Sequence, residues 1–359
     1  MRRSIYIIFF CLSTGAVFGQ GKKDAKKDTT RSLDPVADMY KAATKLMDSL
    51  KYKEAIKLYE KVVKKKKDYA EAYNRIASCY LQLKDLDKAQ ENMELSLKYK
   101  PDNFDCIKYL GRTCFMNKKY ELAKKYYADA EKMEPNDREL MLYIAELRAV
   151  GNDMKGAMDM YNAIIYENET NSPLAYIQRG MLKYKQKQYA YAIKDIETGL
   201  KQKKYKDVDD EIYTSLAEAK FELLDYKSAI KYFDTLLKRN PKNEFALTYR
   251  GAAKIEVSDF SSAINDLTEA IKQNSKSYVA YNFRGTAKGG LKQYIEALKD
   301  LDMAIKIKFD YASSYVNRAS IRMASKDRKG ACEDLKKADQ LGSDVAYKLV
   351  QQYCGGPDY

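Results

Sequence analysis

The sequence predicts an all-α solenoid of about nine helix-turn-helix units stacked in register and closed by a C-terminal capping helix. Two observations carry this. An alanine recurs every thirty-four residues at Ala55, Ala89, Ala123 and Ala157, and again at Ala229, Ala263, Ala297 and Ala331, with Ala192 between the two runs. Around each alanine the same pattern of small and bulky residues returns at helical spacing. A strict period over most of a chain means copies of one supersecondary unit rather than one folded globule.

With this alanine as position 20, the units run 36–69, 70–103, 104–137, 138–171, 173–206, 210–243, 244–277, 278–311 and 312–342. On the first helix, position 8 is small in every unit, from Ala43, Ala77 and Gly111 to Gly251, Gly285 and Ala319. On the second, position 17 is large (Tyr52, Leu86, Tyr120 and onward, with Arg328 the exception) and so is position 24 (Tyr59, Met93, Tyr127 to Leu335). Position 27 is small or aliphatic. Positions 17, 20, 24 and 27 share one helical face, predicting two antiparallel helices whose backbones approach closely. Pro101, Pro135 and Pro241 fall at position 32, where the second helix must stop because proline supplies no helical amide.

These residues resemble the tetratricopeptide repeat family over about nine-tenths of the chain, although tryptophan is absent and several units lack the position-32 proline. The resemblance implies a right-handed superhelix. Beyond the array, Val345, Ala346, Leu349, Val350 and Tyr353 have the spacing of one amphipathic helix, so residues 343–359 are expected to be a cap and tail. The breaks in spacing fall near Ser172 and at Lys201–Asp210, and the second is the candidate hinge or long loop.

At the start, Arg2-Arg3, the apolar run Ile5–Leu12 and Val17-Phe18-Gly19 have the layout of a cleavable secretory signal, so residues 1–19 are expected to be removed. Residues 20–35, rich in lysine, aspartate and threonine, are expected to form a disordered polar leader. Export predicts the periplasm or cell envelope of a bacterium. Without Cys11, five cysteines remain, an odd number. Cys332 and Cys354 are placed to staple the cap to the last unit, the alternative being buried free thiols. Pairing among Cys79, Cys106 and Cys114 stays open.

The net charge is +14. Both signs interleave along the second helices, as on solvated faces, and the Lys64–Lys67 run meets the negative end of a helix dipole. An acidic partner or a membrane surface therefore stands ahead of nucleic acid. A sharper pattern is the switch between positions 7 and 23. Arg179, Arg250, Arg284 and Arg318 occur with Asp195, Asp266, Asp300 and Asp334, and all other units carry neither residue. Positions that switch together are expected to be neighbours, predicting a structural ion pair between the two helices of each of those units.

In the family that the repeats resemble, first helices line a concave face. Carried onto this chain, the groove candidates are Asn74, Arg75, Lys108, Tyr109, Arg112, Phe115, Tyr143, Gln178 and Tyr184, with Tyr249, Asn282, Phe283, Thr286 and Asn317 further along. Basic and aromatic groups together suit an extended peptide with acidic and apolar side chains. Some co-chaperones of the family clamp a carboxylate with lysine and asparagine on the first helix, but Tyr40 and Thr44 stand at those positions.

The expected function is a non-enzymatic scaffold or adaptor binding a protein or peptide partner; the alternative is a self-associating structural scaffold of an envelope assembly. No cofactor, metal or catalytic residue is expected. Histidine is absent, and there is no glycine-rich phosphate loop, serine nucleophile motif or CxxC pair.

Overall fold

The computed structural model describes residues 34–202 and 208–355. The expected signal segment, nearly all of the expected leader, residues 203–207 of the candidate hinge and the last four residues of the tail lie outside the described residues. The chain divides between Ala175 and Tyr176 into two compact units. The first holds four helix pairs: α1 (Pro35–Asp48) with α2 (Tyr52–Lys65), α3 (Ala70–Gln82) with α4 (Leu86–Tyr99), α5 (Phe104–Met116) with α6 (Tyr120–Met133), and α7 (Arg138–Val150) with α8 (Met154–Glu167). The division falls within α9 (Pro173–Lys185). The second unit continues with α10 (Tyr189–Lys201), α11 (Asp210–Glu222), α12 (Tyr226–Arg239), α13 (Glu244–Glu256), α14 (Phe260–Gln273), α15 (Tyr278–Gly290) and α16 (Tyr294–Ile307). It ends with α17 (Ala312–Ala324), α18 (Arg328–Gln340) and α19 (Asp344–Tyr353).

Helix structure begins slightly before position 36. The Asp34 carboxylate caps α1 by accepting from the Val36 amide, and Pro35 takes the first helical position, where its missing N–H costs nothing. Within each repeat the first helix closes on a residue with φ near +60° at position 15, and none of the nine is glycine: Leu50, Lys84, Lys118, Asn152, Lys187, Leu224, Ser258, Lys292 and Lys326. Leu224 N donates to Phe221 O at 2.9 Å and Asp225 N to Lys220 O at 2.9 Å, the double bond of a Schellman turn. The next residue caps the second helix where it is aspartate, as when Asp259 accepts from Ser262 N.

The core of each repeat is the strip of positions 20, 24 and 27. All nine position-20 alanines are fully buried, and Tyr59, Phe233, Leu267 and Leu301 at position 24 are equally closed off. Position 8 is small because position 24 packs onto it. A Cβ on Gly251 would lie 2.7 Å from Leu267, and one on Gly285 2.7 Å from Leu301. Position 17, the first residue of each second helix, lies at the edge of this strip: Tyr52, Tyr189, Phe260 and Tyr294 are half-buried and pack against the core, while Tyr120 is exposed. The extra residue at Ser172 follows a short 3-10 turn, Glu169–Asn171, and its buried hydroxyl donates to Asn168 O at 2.6 Å.

Each helix packs on its sequence neighbours within a unit, and first helices also touch one another across repeats, α5 with α7, α13 with α15, and α15 with α17. That arrangement puts first helices on the inner side of each unit. At the C-terminal end Ser343 caps α19, Ala346 is buried against the last repeat, and a Cys332–Cys354 disulfide joins α18 to the residue after α19. Cys79, Cys106 and Cys114 are free and buried.

Candidate partner-binding surface

In the first unit the structure brings Lys108, Tyr109, Arg112, Phe115 and Tyr143 together where α5 meets α7. Lys108 Nζ lies 3.0 Å from Glu139, 3.3 Å from Asp137 and 3.5 Å from Asp105. Glu139 also accepts from the hydroxyls of Tyr109 (3.0 Å) and Tyr143 (2.6 Å). Arg112 pairs with Glu146, and its guanidinium stands 4.6 Å over the Tyr143 ring and 5.2 Å over Phe115. Burial, with Glu139 beside them, pushes the Tyr109 and Tyr143 hydroxyls well above the ordinary phenol range.

Two of the three cations among the groove candidates are therefore spent. Lys108 and Arg112 are 3% and 8% exposed, and the chain's own carboxylates neutralise them. A desolvated cation without a partner costs several kcal/mol, so partners built into the next repeat occupy it permanently. Glu139 and Glu146 sit at positions 2 and 9 of the next repeat, also inward positions, but the sequence does not say which cation each reaches.

Asn74 and Arg75 on α3 differ from these. The Asn74 side chain makes no hydrogen bond among the described residues, and Arg75 reaches only the Tyr40 hydroxyl, at 3.5 Å, with no carboxylate in ion-pair range. Both are half-buried. Tyr40 stacks on Tyr69 at 5.1 Å and the Thr44 hydroxyl meets Tyr59 at 2.9 Å, so tyrosine and threonine fill the place where a carboxylate clamp would stand.

In the second unit, half-buried Gln178 and Tyr184 lie on α9, and the Tyr184 hydroxyl donates to Glu218 on α11. Tyr249 rests 4.5 Å from Phe245, and the two help line a cavity of about 240 Å³ with Glu244, Thr248, Ser277 and Tyr278. Asn282 is buried and accepts from Asn317 at 3.0 Å.

The four arginines each grip their aspartate with two nitrogens. Arg250 Nε and Nη2 lie 2.8 and 2.6 Å from Asp266, and Arg179, Arg284 and Arg318 repeat the fork on Asp195, Asp300 and Asp334. The chain thus carries, repeat upon repeat, one helix pair with one internal geometry. Sequence profiles of the tetratricopeptide repeat match residues 46–110, 115–173 and 210–243.

The chain belongs to the tetratricopeptide repeat family.

Among similar proteins, the Hsp70-Hsp90 organizing protein 1 of Glycine max is 29% identical over 96 residues, which are 27% of this chain and only 17% of that protein. Among solved structures, YrrB, described as a tetratricopeptide repeat protein with an unusual peptide-binding site, superposes with a TM-score of 0.49 at 18% identity. The match covers 52% of this chain and 95% of YrrB. A tetratricopeptide repeat protein from Parabacteroides merdae gives 0.32 at 18% identity, covering 80% of this chain and 99% of that one.

Two parts of the tetratricopeptide ion-pair system escape a pairwise reading of the sequence. A second cation at position 11 binds each aspartate: Lys183, Lys254 and Lys288 at 2.7 to 2.8 Å, and Arg322 at 2.9 Å. Position 11 is also basic at Arg148 and Lys220, in repeats without the aspartate, so covariation does not single it out. The remaining guanidinium nitrogen reaches back to the preceding repeat, Arg250 to Asp234 at 2.7 Å, Arg284 to Thr268 at 3.3 Å and Arg318 to Asp302 at 2.6 Å. Each of these three arginines therefore ties together three helices. Burial works to raise the Asp195 pKa, but hydrogen bonds from Arg179 and Lys183 outweigh it and hold the carboxyl below its usual range.

Proposed function

We propose that this tetratricopeptide repeat protein is a non-enzymatic scaffold of the bacterial periplasm or cell envelope, holding a peptide segment or protein partner against the inner faces of its first helices. The observation that carries the reading is the contrast on the inner face of the first unit. Lys108, Tyr109, Arg112 and Tyr143 are locked into a braced wall by Glu139 and Glu146, while neighbouring Asn74 and Arg75 keep hydrogen-bonding capacity unspent. A preorganised wall with a few available polar groups suits recognition of an extended segment, because little side-chain entropy is left to lose. Arg75 is the cation left to meet a carboxylate of the occupant; the paired state of Lys108 and Arg112 weighs against a strongly acidic one. The envelope assignment rests on the signal-like residues 1–19, and the non-enzymatic one on the absence of histidine and of nucleophile or phosphate-loop motifs.

The test is affinity capture from envelope extract with the wild type and with Asn74→Ala/Arg75→Ala, which leaves the braced wall intact. A partner recovered by the wild type and lost by the variant is the expected result. Recovery of nothing but the protein itself, with a dimer or larger species by light scattering, would replace this reading with the self-associating scaffold.

A further inference from the structure

We infer that the outward face of α2 is a docking surface for an anionic lipid membrane. Residues 41–67 hold ten lysines against three carboxylates, Asp48, Glu54 and Glu60. On α2 the lysines fall at Lys53, Lys57, Lys61 and Lys64, spaced by four, four and three residues, so they form one row about 16 Å long. The row continues into Lys65, Lys66 and Lys67, and every one of these seven side chains is exposed. The opposite face is shut into the core through Ala55, Ile56, Tyr59 and Val62, which fixes the row outward. None of the seven forms an ion pair among the described residues, although Lys88, Lys119, Lys132 and Lys272 elsewhere on the surface do. Seven lysines on one side of a repeat, with only Glu54 and Glu60 exposed beside them on the helix, therefore leave a strong net positive charge without an ion-pair partner among the described residues.

The kind of partner follows from the residue type and the shape. Between Arg31 and Arg75 every basic residue is lysine. Arginine is favoured where a fixed phosphate or carboxylate is gripped by two nitrogens, whereas lysine acts as a point charge on a flexible stem. Single-stranded nucleic acid would also want exposed rings for base stacking, and none stands in the row, since Tyr59 is buried and Tyr52 and Tyr69 are partly covered. The face is the outside of a helix, without a groove to hold a protein segment in register. A bilayer needs neither groove nor register, because its headgroups rearrange beneath the charges.

The experiment is co-sedimentation of the full chain with vesicles of phosphatidylcholine alone or mixed with phosphatidylglycerol. The apolar run Ile5–Leu12 would act on both vesicle types alike, so the readout is the difference between them. Lys57→Glu/Lys61→Glu is compared with Lys299→Glu/Lys306→Glu, an equal charge change at exposed positions on α16. The expected result is a preference for anionic vesicles that weakens at least about thirtyfold in the α2 variant, from roughly one kcal/mol per lysine removed, and much less in the α16 variant, with helicity unchanged in both. Equal losses in the two variants, or no preference for anionic vesicles, would overturn the inference. So would tighter binding of the same face to an oligonucleotide or to polyglutamate than to the vesicles.

Discussion

Asp266 accepts from Arg250 and Lys254 at once, so it is the centre of its cluster and not one end of a pair. Asp266→Ala takes the shared carboxylate from two part-buried cations, leaving Arg250 with Asp234 alone, and is expected to cost up to about 3–5 kcal/mol, measured by urea unfolding. Arg250→Leu/Asp266→Tyr installs the pair found at the same positions as Leu216 and Tyr232, where Lys220 instead bonds Asp225 at 3.2 Å. Asp259 stands ready to do the same for Lys254. The double variant is expected to lose less than half as much as the single one, and a larger loss would show the ions stabilising beyond their own burial. The Arg–Asp partnership was readable in the sequence because both residues change together between repeats. Its three-helix reach was not, because the position-25 partners are aspartate, threonine and aspartate, without one residue type to notice. The three free thiols among the described residues make a second residue-scale prediction. Burial pushes Cys79, Cys106 and Cys114 up to about 11. At pH 8 they should resist an aromatic disulfide reagent until the chain unfolds, and rapid native-state labelling would contradict their burial.

At the scale of elements, the turn inside each repeat carries stored backbone strain. A left-handed residue with a Cβ costs about 1–2 kcal/mol relative to the right-handed conformation, and the nine repeat turns pay it without glycine. Leu224 is 70% exposed, so its side chain contributes little packing. Leu224→Gly should raise stability by about 1 kcal/mol, read as a higher urea midpoint with an unchanged slope; a lower midpoint would mean the leucine is held by contacts. Nothing in the sequence marked these positions, since lysine, leucine, serine and asparagine share no turn signature. The turn is imposed by the two helices that flank it. The cap is the other element with a specific expectation. The disulfide closes a loop with a sequence separation of 22, so Cys332→Ser/Cys354→Ser should cost about 3 kcal/mol. The loss should be concentrated in α19, seen as faster amide exchange at Leu349 and Val350, because without the disulfide the helix is held by its Ser343 cap, Ala346, the Arg328–Tyr353 contact and the partial packing of Leu349 and Val350.

For the molecule as a whole, pH dependence follows from which groups burial has shifted. Tyr59 and Tyr126 are raised from 10.0 to about 12 by burial, and Tyr109, Tyr127, Tyr143, Tyr184 and Tyr232 are raised further. A raised folded value means the tyrosines' contribution to stability is complete below pH 10 and falls as pH climbs through 10 to 12 and beyond. At the acid end Asp195 is held below its usual value, so its contribution persists above about pH 4 and disappears as pH falls through the lowered value. With no histidine, the unfolding midpoint should be flat from about pH 5 to 8, and a step near pH 6.5 would contradict this. It should then fall, first because Cys79, Cys106 and Cys114 ionise near 9.0 when unfolded but only at about 11 when buried, and more steeply with tyrosinate absorbance above pH 10. The period, the buried alanine strip, the small-to-bulky fit between positions 8 and 24 and the capping helix could all be read from the chain, because each is a local rule at fixed spacing, whereas the Cys332–Cys354 staple stood in the sequence as one of two alternatives. Tertiary structure alone decided which groove side chains are available. Lys108 and Arg75 look equivalent as letters at inward positions, yet a carboxylate from the next repeat reaches one and not the other. Pairing of that kind depends on how successive repeats lean together, and no single helix encodes it.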